Sequence, residues 1–286
     1  MIIPSTALAI QGGAMRSMYC AGAIEGLLAI HQLNTLTHIV SSSGGCVVGL
    51  GILAARYDAA AYHALTETMT SRLGKRFINL RRIRTVVDIA YLVDTMFDVY
   101  DIKPGFFDEL ESYEVVMTTA DGAALYVDCR ELSLEELRQA LIGTMAIPVL
   151  YPVRTYWRGQ QVFDGGIVDQ LPVLRAIEIS NANRVIGISS VKRGQLANSL
   201  SRGSQLAVTA ATYRLPPAVR RQLLTRNPLG DTTEELLDQG HYNQVTLRCV
   251  MPTNNATLVR LTELRPARLT ALQQMGYNDA ISLFRE

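Results

Sequence analysis

The most constraining feature of the chain is the abrupt change of character between Leu36 and Ala55. Thr37–Val40 read as a short apolar strand, Ser41–Gly45 as a tight turn of small residues, and Cys46–Ala55 as a helix that is apolar on nearly every side. A strand that stops at Ser-Ser-Ser-Gly-Gly and restarts as a buried helix is a βα unit. Its turn holds the middle side chain, Ser43, at the sheet edge above the helix N-terminus. The unpaired N–H groups and the positive end of the helix dipole there favour negative charge beside the hydroxyl. Gly44 and Gly45 let the backbone fold without clashes. The turn matches G-x-S-x-G only at Ser43 and Gly45, so this stretch alone leaves two readings open, a nucleophilic serine or an ordinary βα loop.

A second βα unit precedes it. Thr6–Ile10 is an apolar strand, and Met18–Ile30 a helix with Ala21, Ile24, Leu27 and Leu28 on its apolar stripe. Between them Gly12, Gly13, Ala14, Met15, Arg16 and Ser17 form a turn whose consecutive N–H groups are unhindered, as an anion cradle requires. A nucleotide-binding loop is a rival reading, but G-x-G-x-x-G is not met and no Walker lysine follows. Parallel strands bring both turns to the same carboxyl edge, so a cradle and a serine become neighbours.

Composition narrows the class. The chain has 286 residues, 48% hydrophobic and 19% charged, with formal net charge +1. That supports an α/β core of ordinary quality and implies no nucleic acid or other strongly charged partner. Cys20, Cys46, Cys129 and Cys249 have no metal-ligand spacing and sit in apolar contexts expected of reduced core thiols. The opening residues lack a basic segment and run straight into the first strand, and no apolar run reaches spanning length, so the expectation is a soluble, cytoplasmic protein. No linker stands out, and the whole chain reads as one domain, its motifs between residues 6 and 190 and an extension from 191 to 286.

Residues 57–111 read as helical. Arg72, Lys75, Arg76, Arg81, Arg82 and Arg84 interleave with Phe77, Ile78 and Leu80, followed by an amphipathic stretch Thr85–Phe97. A basic, apolar segment of this kind suits peripheral contact with an anionic membrane surface; a solvated helix face is the ordinary alternative. Tyr113–Thr119 and Ala123–Cys129 read as a hairpin turning at Ala120-Asp121-Gly122, and Ser133 with Glu136 as a capping box. Arg184–Ser189 and Val245–Met251 read as strands. The region 191–240 is expected to be helical in pieces, with Asp231 and Glu234 as a second capping box, and Pro266–Met275 to be a terminal helix that stops at Gly276.

The second informative stretch is Gln161–Pro172. Asp164 ends a short apolar strand and is followed by Gly165 and Gly166, so backbone or ligand can approach it closely. An Asx turn is the structural alternative. Asp169 is a competing acid, better read as lying near the N-terminus of the helix at Pro172.

Taken together and in order, GGAMRS at Gly12–Ser17, SSSGG at Ser41–Gly45 and DGG at Asp164–Gly166 resemble the patatin-like phospholipases. AIPVLYPV at Ala146–Val153 is similar to the family segment before the catalytic acid. The resemblance implies a three-layer α/β sandwich with a mainly parallel central sheet. It implies a Ser43–Asp164 dyad without histidine, metal or cofactor, in keeping with His31, His38, His63 and His241 lying in no motif. It further implies an oxyanion hole at Gly12, Gly13 and Ala14 with Arg16 anchoring the loop, and a lipid or acyl-ester substrate, as for a phospholipase A or lysophospholipase. Burial beside Ser43 is then expected to raise the Asp164 pKa. Three residues depart from the family pattern: Ser17 and Ser41 replace glycines, and Gln170 replaces an asparagine. These departures keep two alternatives in view, a catalytically silent binding module and a hydrolase of small esters or thioesters. Oligomeric state is not legible.

Overall fold

The computed structural model describes residues 5–82, 85–148, 150–196, 212–225, 227–253 and 260–285. Five parallel strands form the middle of one sheet: β3 (Ser112–Thr119), β2 (Leu36–Ser42), β1 (Thr6–Ile10), β7 (Arg184–Ile188) and β9 (Val245–Val250). The margins are antiparallel, with β4 (Ala124–Asp128) beside β3, the two-residue β8 (His241–Tyr242) beside β9, and β5 (Thr155–Trp157) paired with β6 (Gln160–Asp164).

Both faces of the sheet are covered, which is why all five residues of β1 are buried. Leu8 and Ile10 point into one core with α1 (Ser17–Ala29), α2 (Gly45–Ala54), α3 (Ala59–Phe77), α4 (Ile89–Val99), α5 (Leu134–Thr144) and α9 (Pro266–Arg285). Ala7 and Ala9 point into the other, with α6 (Val173–Ile179) and α8 (Pro228–Gln239); α7 (Pro217–Leu224) packs beside the turn after Asp164. The layered, mainly parallel architecture expected from the sequence is present.

Local chemistry accounts for several boundaries. Asp58 and Asp88 cap α3 and α4 through their carboxylates, and the Ser133–Glu136 capping box opens α5 as expected. The hairpin β3–β4 turns at Gly122, whose φ of 85° suits glycine. Of residues 57–111, expected to be helical, only α3 and α4 are so: α3 is broken at Gly74, Ile78 bridges Val87, and 100–111 run as turns without a helix.

Two expectations need correction. Asp231 is not an N-cap, because Asn227 caps α8 one residue before Pro228, which fits the first helical position; Asp231 falls in the first turn. Gly276 does not stop the last helix, which continues to Arg285. Its missing side chain serves the contact with α1 instead. The short strand β5 was not anticipated by any periodicity. Arg84, Val149 and all of 197–211, the last within the region expected to be helical in pieces, lie outside the described residues.

Candidate active site

Ser43 is the point where β2 gives way to α2, and its backbone is left-handed, with φ of 51°. A non-glycine residue holds that conformation only where its surroundings impose it. Here the Ser43 N–H donates to Thr144 Oγ1 over 3.0 Å, and its carbonyl accepts from the Cys46 N–H over 3.1 Å. The flanking turn is packed backbone to backbone. A Cβ on Gly45 would stand 2.7 Å from the Ile10 carbonyl oxygen, and one on Gly12 would stand 2.5 Å from the Cβ of Ser43. Those two glycines are required for this approach, whereas Ser41, where the resemblance leads one to expect glycine, is accommodated: its hydroxyl is buried and donates to the Glu114 carbonyl over 3.4 Å.

Strand register brings Asp164 to Ser43. β2 ends with Ser42 opposite Val116 of β3, and β6 runs the other way to end with Asp164 opposite Met117. Because β4 occupies the other edge of β3 along Glu114–Thr118, β2 and β6 share one edge and meet end to end. Gly165 makes the junction possible, since a Cβ there would stand 2.2 Å from the Val116 carbonyl oxygen. The Ser43 hydroxyl donates to Asp164 Oδ2 over 2.6 Å, and the Gly166 N–H donates to Oδ1 over 2.8 Å. Burial raises the Asp164 pKa to about 7, opposed in part by these two donors. A carboxylate with that pKa is a far better base near neutral pH than an exposed one.

The loop Gly12–Arg16 lies against the same elbow. Gly13 has φ of 146° and Ala14 φ of 47°, and the Arg16 N–H closes the turn on the Gly13 carbonyl over 2.9 Å. Gln11 Oε1 accepts from Ser189 Oγ and from the Ser190 N–H, each over 2.7 Å, while its Nε2 donates to Gln170 Oε1 over 3.2 Å. Ser190 Oγ in turn donates to the Gly12 carbonyl over 2.7 Å. Across a planar trans peptide the next N–H points the opposite way. The Gly13 N–H is thereby turned from β7 toward the side of β1 on which β2 carries Ser43. Gln170 therefore acts on the loop, through Gln11, rather than on Asp164. Thr144 and Ser190 belong to this hydrogen-bonded cluster as well, and Gly44, just before α2, lines the adjacent cavity. Nothing in the sequence marks Thr144 or Ser190, because each lies at the end of an element and reaches the site only through the fold.

An apolar cavity opens beside Ser43, walled by residues of α1 to α4 such as Met18, Val48, Met69, Leu73 and Leu92, and by Met145 after α5. Ser17, on its wall, is 7% exposed and its hydroxyl has no partner among the described residues. Asp169 is buried elsewhere, accepting from Tyr126 over 2.8 Å, with its pKa raised by burial to about 6. Cys46 is fully buried, which raises its thiol pKa far out of the reactive range. His38 hydrogen-bonds Thr37, His63 Glu25 and His241 the Gln239 carbonyl, away from the dyad. All four cysteines are unpaired, and no cluster of three metal-ligating side chains exists among the described residues.

The sequence profile of the patatin-like phospholipase family matches residues 8–177. No curated protein matches the chain in sequence. Among solved structures, VipD from Legionella pneumophila aligns at 11% identity and a TM-score of 0.45, covering 98% of this chain and 66% of that one. The type III effector protein ExoU aligns at 10% identity and a TM-score of 0.44, covering 99% and 53%. The chain thus spans just under two thirds of the first protein's length and about half of the second's.

Proposed function

As the chain belongs to the patatin-like phospholipase family, we propose that it hydrolyses lipid acyl esters, in the manner of a phospholipase A or lysophospholipase, with Ser43 as nucleophile and Asp164 as its base. The observation that carries this reading is the 2.6 Å hydrogen bond to a buried carboxylate from Ser43, which lines an apolar cavity. Ser43 Oγ attacks the ester carbonyl as its proton passes to Asp164 Oδ2. The negative oxygen of the tetrahedral intermediate is held by N–H groups of the Gly12–Ala14 loop and the α2 N-terminus, each such donor being worth about 3 kcal/mol. Collapse breaks the bond to the alcohol oxygen, which takes the proton from Asp164 and leaves an acyl-enzyme. Asp164 then deprotonates a water that attacks the acyl carbon, and the hydroxyl of Ser43 is restored. The acyl chain occupies the apolar cavity, where burial of each methylene is worth about 0.8 kcal/mol.

The test is reaction of the purified protein with a fluorophosphonate and location of the adduct by peptide mass spectrometry, with Ser43→Ala and Asp164→Asn alongside. An adduct on Ser43 that is lost in Asp164→Asn is the expected result. A folded wild-type protein that takes up no label would overturn the reading in favour of a catalytically silent binding module.

A further inference from the structure

Two loops tied to the cavity wall carry exposed apolar tips among cations. The helical path of α3 breaks at Gly74, and the chain then closes a compact turn: Ile78 bridges Val87, Asn79 donates to the Val86 carbonyl over 2.9 Å, and Arg82 donates to the Asn79 carbonyl over 3.1 Å. Leu80 stands at its tip, 71% exposed. Phe77 and Val87 at the base of this turn line the cavity, and the Val87 N–H donates over 3.2 Å to the carbonyl of Leu150, which lines it too. Beyond Leu150 the chain turns outward again and exposes Val153 at 46%. Both apolar tips are thus carried by backbone whose inner end is part of the cavity.

Charge on these loops is one-sided. Between residues 72 and 82, and between 145 and 158, the sequence contains seven arginines and lysines and no acid, in a chain whose formal charge is only +1. Some of these are engaged: Arg72 with Asp98, Arg82 with Asp88 at 3.8 Å, and Arg158 with Glu136. The Arg76 guanidinium lies 4.2 Å from the centre of the Tyr91 ring. Lys75, Arg81 and Arg154 are exposed and have no carboxylate in ion-pair range among the described residues. Among the described residues no other large apolar side chain is as exposed as Leu80.

We propose that the loops at 75–82 and 150–154 dock the cavity rim on an anionic lipid surface, Leu80 and Val153 entering the apolar boundary and Lys75, Arg81 and Arg154 facing the headgroups. The assignment of a lipid as occupant rests on the lipid-hydrolase reading; the surface itself is argued from charge and exposure. Docked this way, an acyl chain passes from the bilayer into the cavity without crossing open water.

The test uses the full chain carrying Ser43→Ala, so that lipid is not consumed, in co-sedimentation with vesicles of phosphatidylcholine alone or mixed with phosphatidylglycerol. Binding is expected to the anionic vesicles, to weaken with salt, and to fall at least about tenfold in Leu80→Asp and in the double variant Lys75→Glu/Arg81→Glu. In the background that retains Ser43, the same substitutions should leave hydrolysis of a soluble short-chain ester unchanged. Equal binding to neutral and anionic vesicles, or undiminished binding by both variants, would overturn the proposal. Failure of soluble-ester hydrolysis in the wild type would count against the hydrolase reading alone, because vesicle binding is measured without it.

Discussion

Gly276, midway along α9, lies directly against the carbonyl oxygen of Tyr19 in α1; a Cβ at 276 would stand 2.0 Å from that oxygen. Gly22 meets Gln273 in the same way, at 1.8 Å. The first and last helices therefore pack backbone on backbone, and the end of the chain buttresses the helix that follows the Gly12–Arg16 loop.

Gly276→Ala forces these helices apart and is expected to cost about 1–3 kcal/mol or more. Gly240 ends α8 with φ of 71° and has open space around it, so Gly240→Ala should cost only about 1 kcal/mol. Urea denaturation of both variants checks the order, and equal losses would contradict the close contact.

Asp164 gives a pH dependence of known sign. Its pKa rises from the ordinary 3.8 to about 7 on folding, so its contribution to stability is complete below about 3.8 and is lost as pH climbs through about 7. Asp164→Asn should accordingly be more stable than wild type above pH 7, by at most ~4 kcal/mol, with the gap closing in acid. Hydrolysis by the wild type should rise around pH 7, where the folded enzyme's base loses its proton. Denaturation curves at several pH values decide the first point, and a gap that does not grow with pH would contradict it.

Thr144→Val keeps the shape of the side chain and removes the acceptor for the Ser43 N–H. A buried donor left unpaired costs about 1–3 kcal/mol. Because the lost bond holds Ser43 in its left-handed conformation, kcat should fall while KM stays near that of the wild type. Steady-state kinetics on a soluble ester separates this from a purely structural loss, in which only the amount of folded enzyme would change.

Ser17→Ala removes a buried hydroxyl that has no partner among the described residues and places a better helix former at the start of α1. Stability should increase by about 1 kcal/mol. A thermal midpoint that fails to rise would mean the hydroxyl is satisfied in solution, by water in the cavity.

What could be read from the chain divides by the range of the interaction. The two βα turns, the acid before Gly165 and the α5 capping box are written in neighbouring residues, and each was legible. Gly276 was misread because a glycine near a helix end signals a stop locally, while the contact that requires it involves Tyr19, far away in the chain. Asp231 was misread because two cap signals lay four residues apart and the Asn-Pro pair at 227 prevails. The shared edge of β3, which brings Ser43 to Asp164, and the role of Thr144 depend on pairing register, and no local pattern encodes that.

The end-to-end meeting of β2 and β6 makes the site a gauge of folding. Sliding β6 by one residue along β3 would displace Asp164 by about 3.3 Å along the strand and turn it to the opposite face of the sheet. Mispaired molecules, even compact and soluble ones, would therefore be chemically inert. Titration of a preparation with an active-site label would count only those chains whose strands are in register, and refolding followed by that label would time the closure of this one seam.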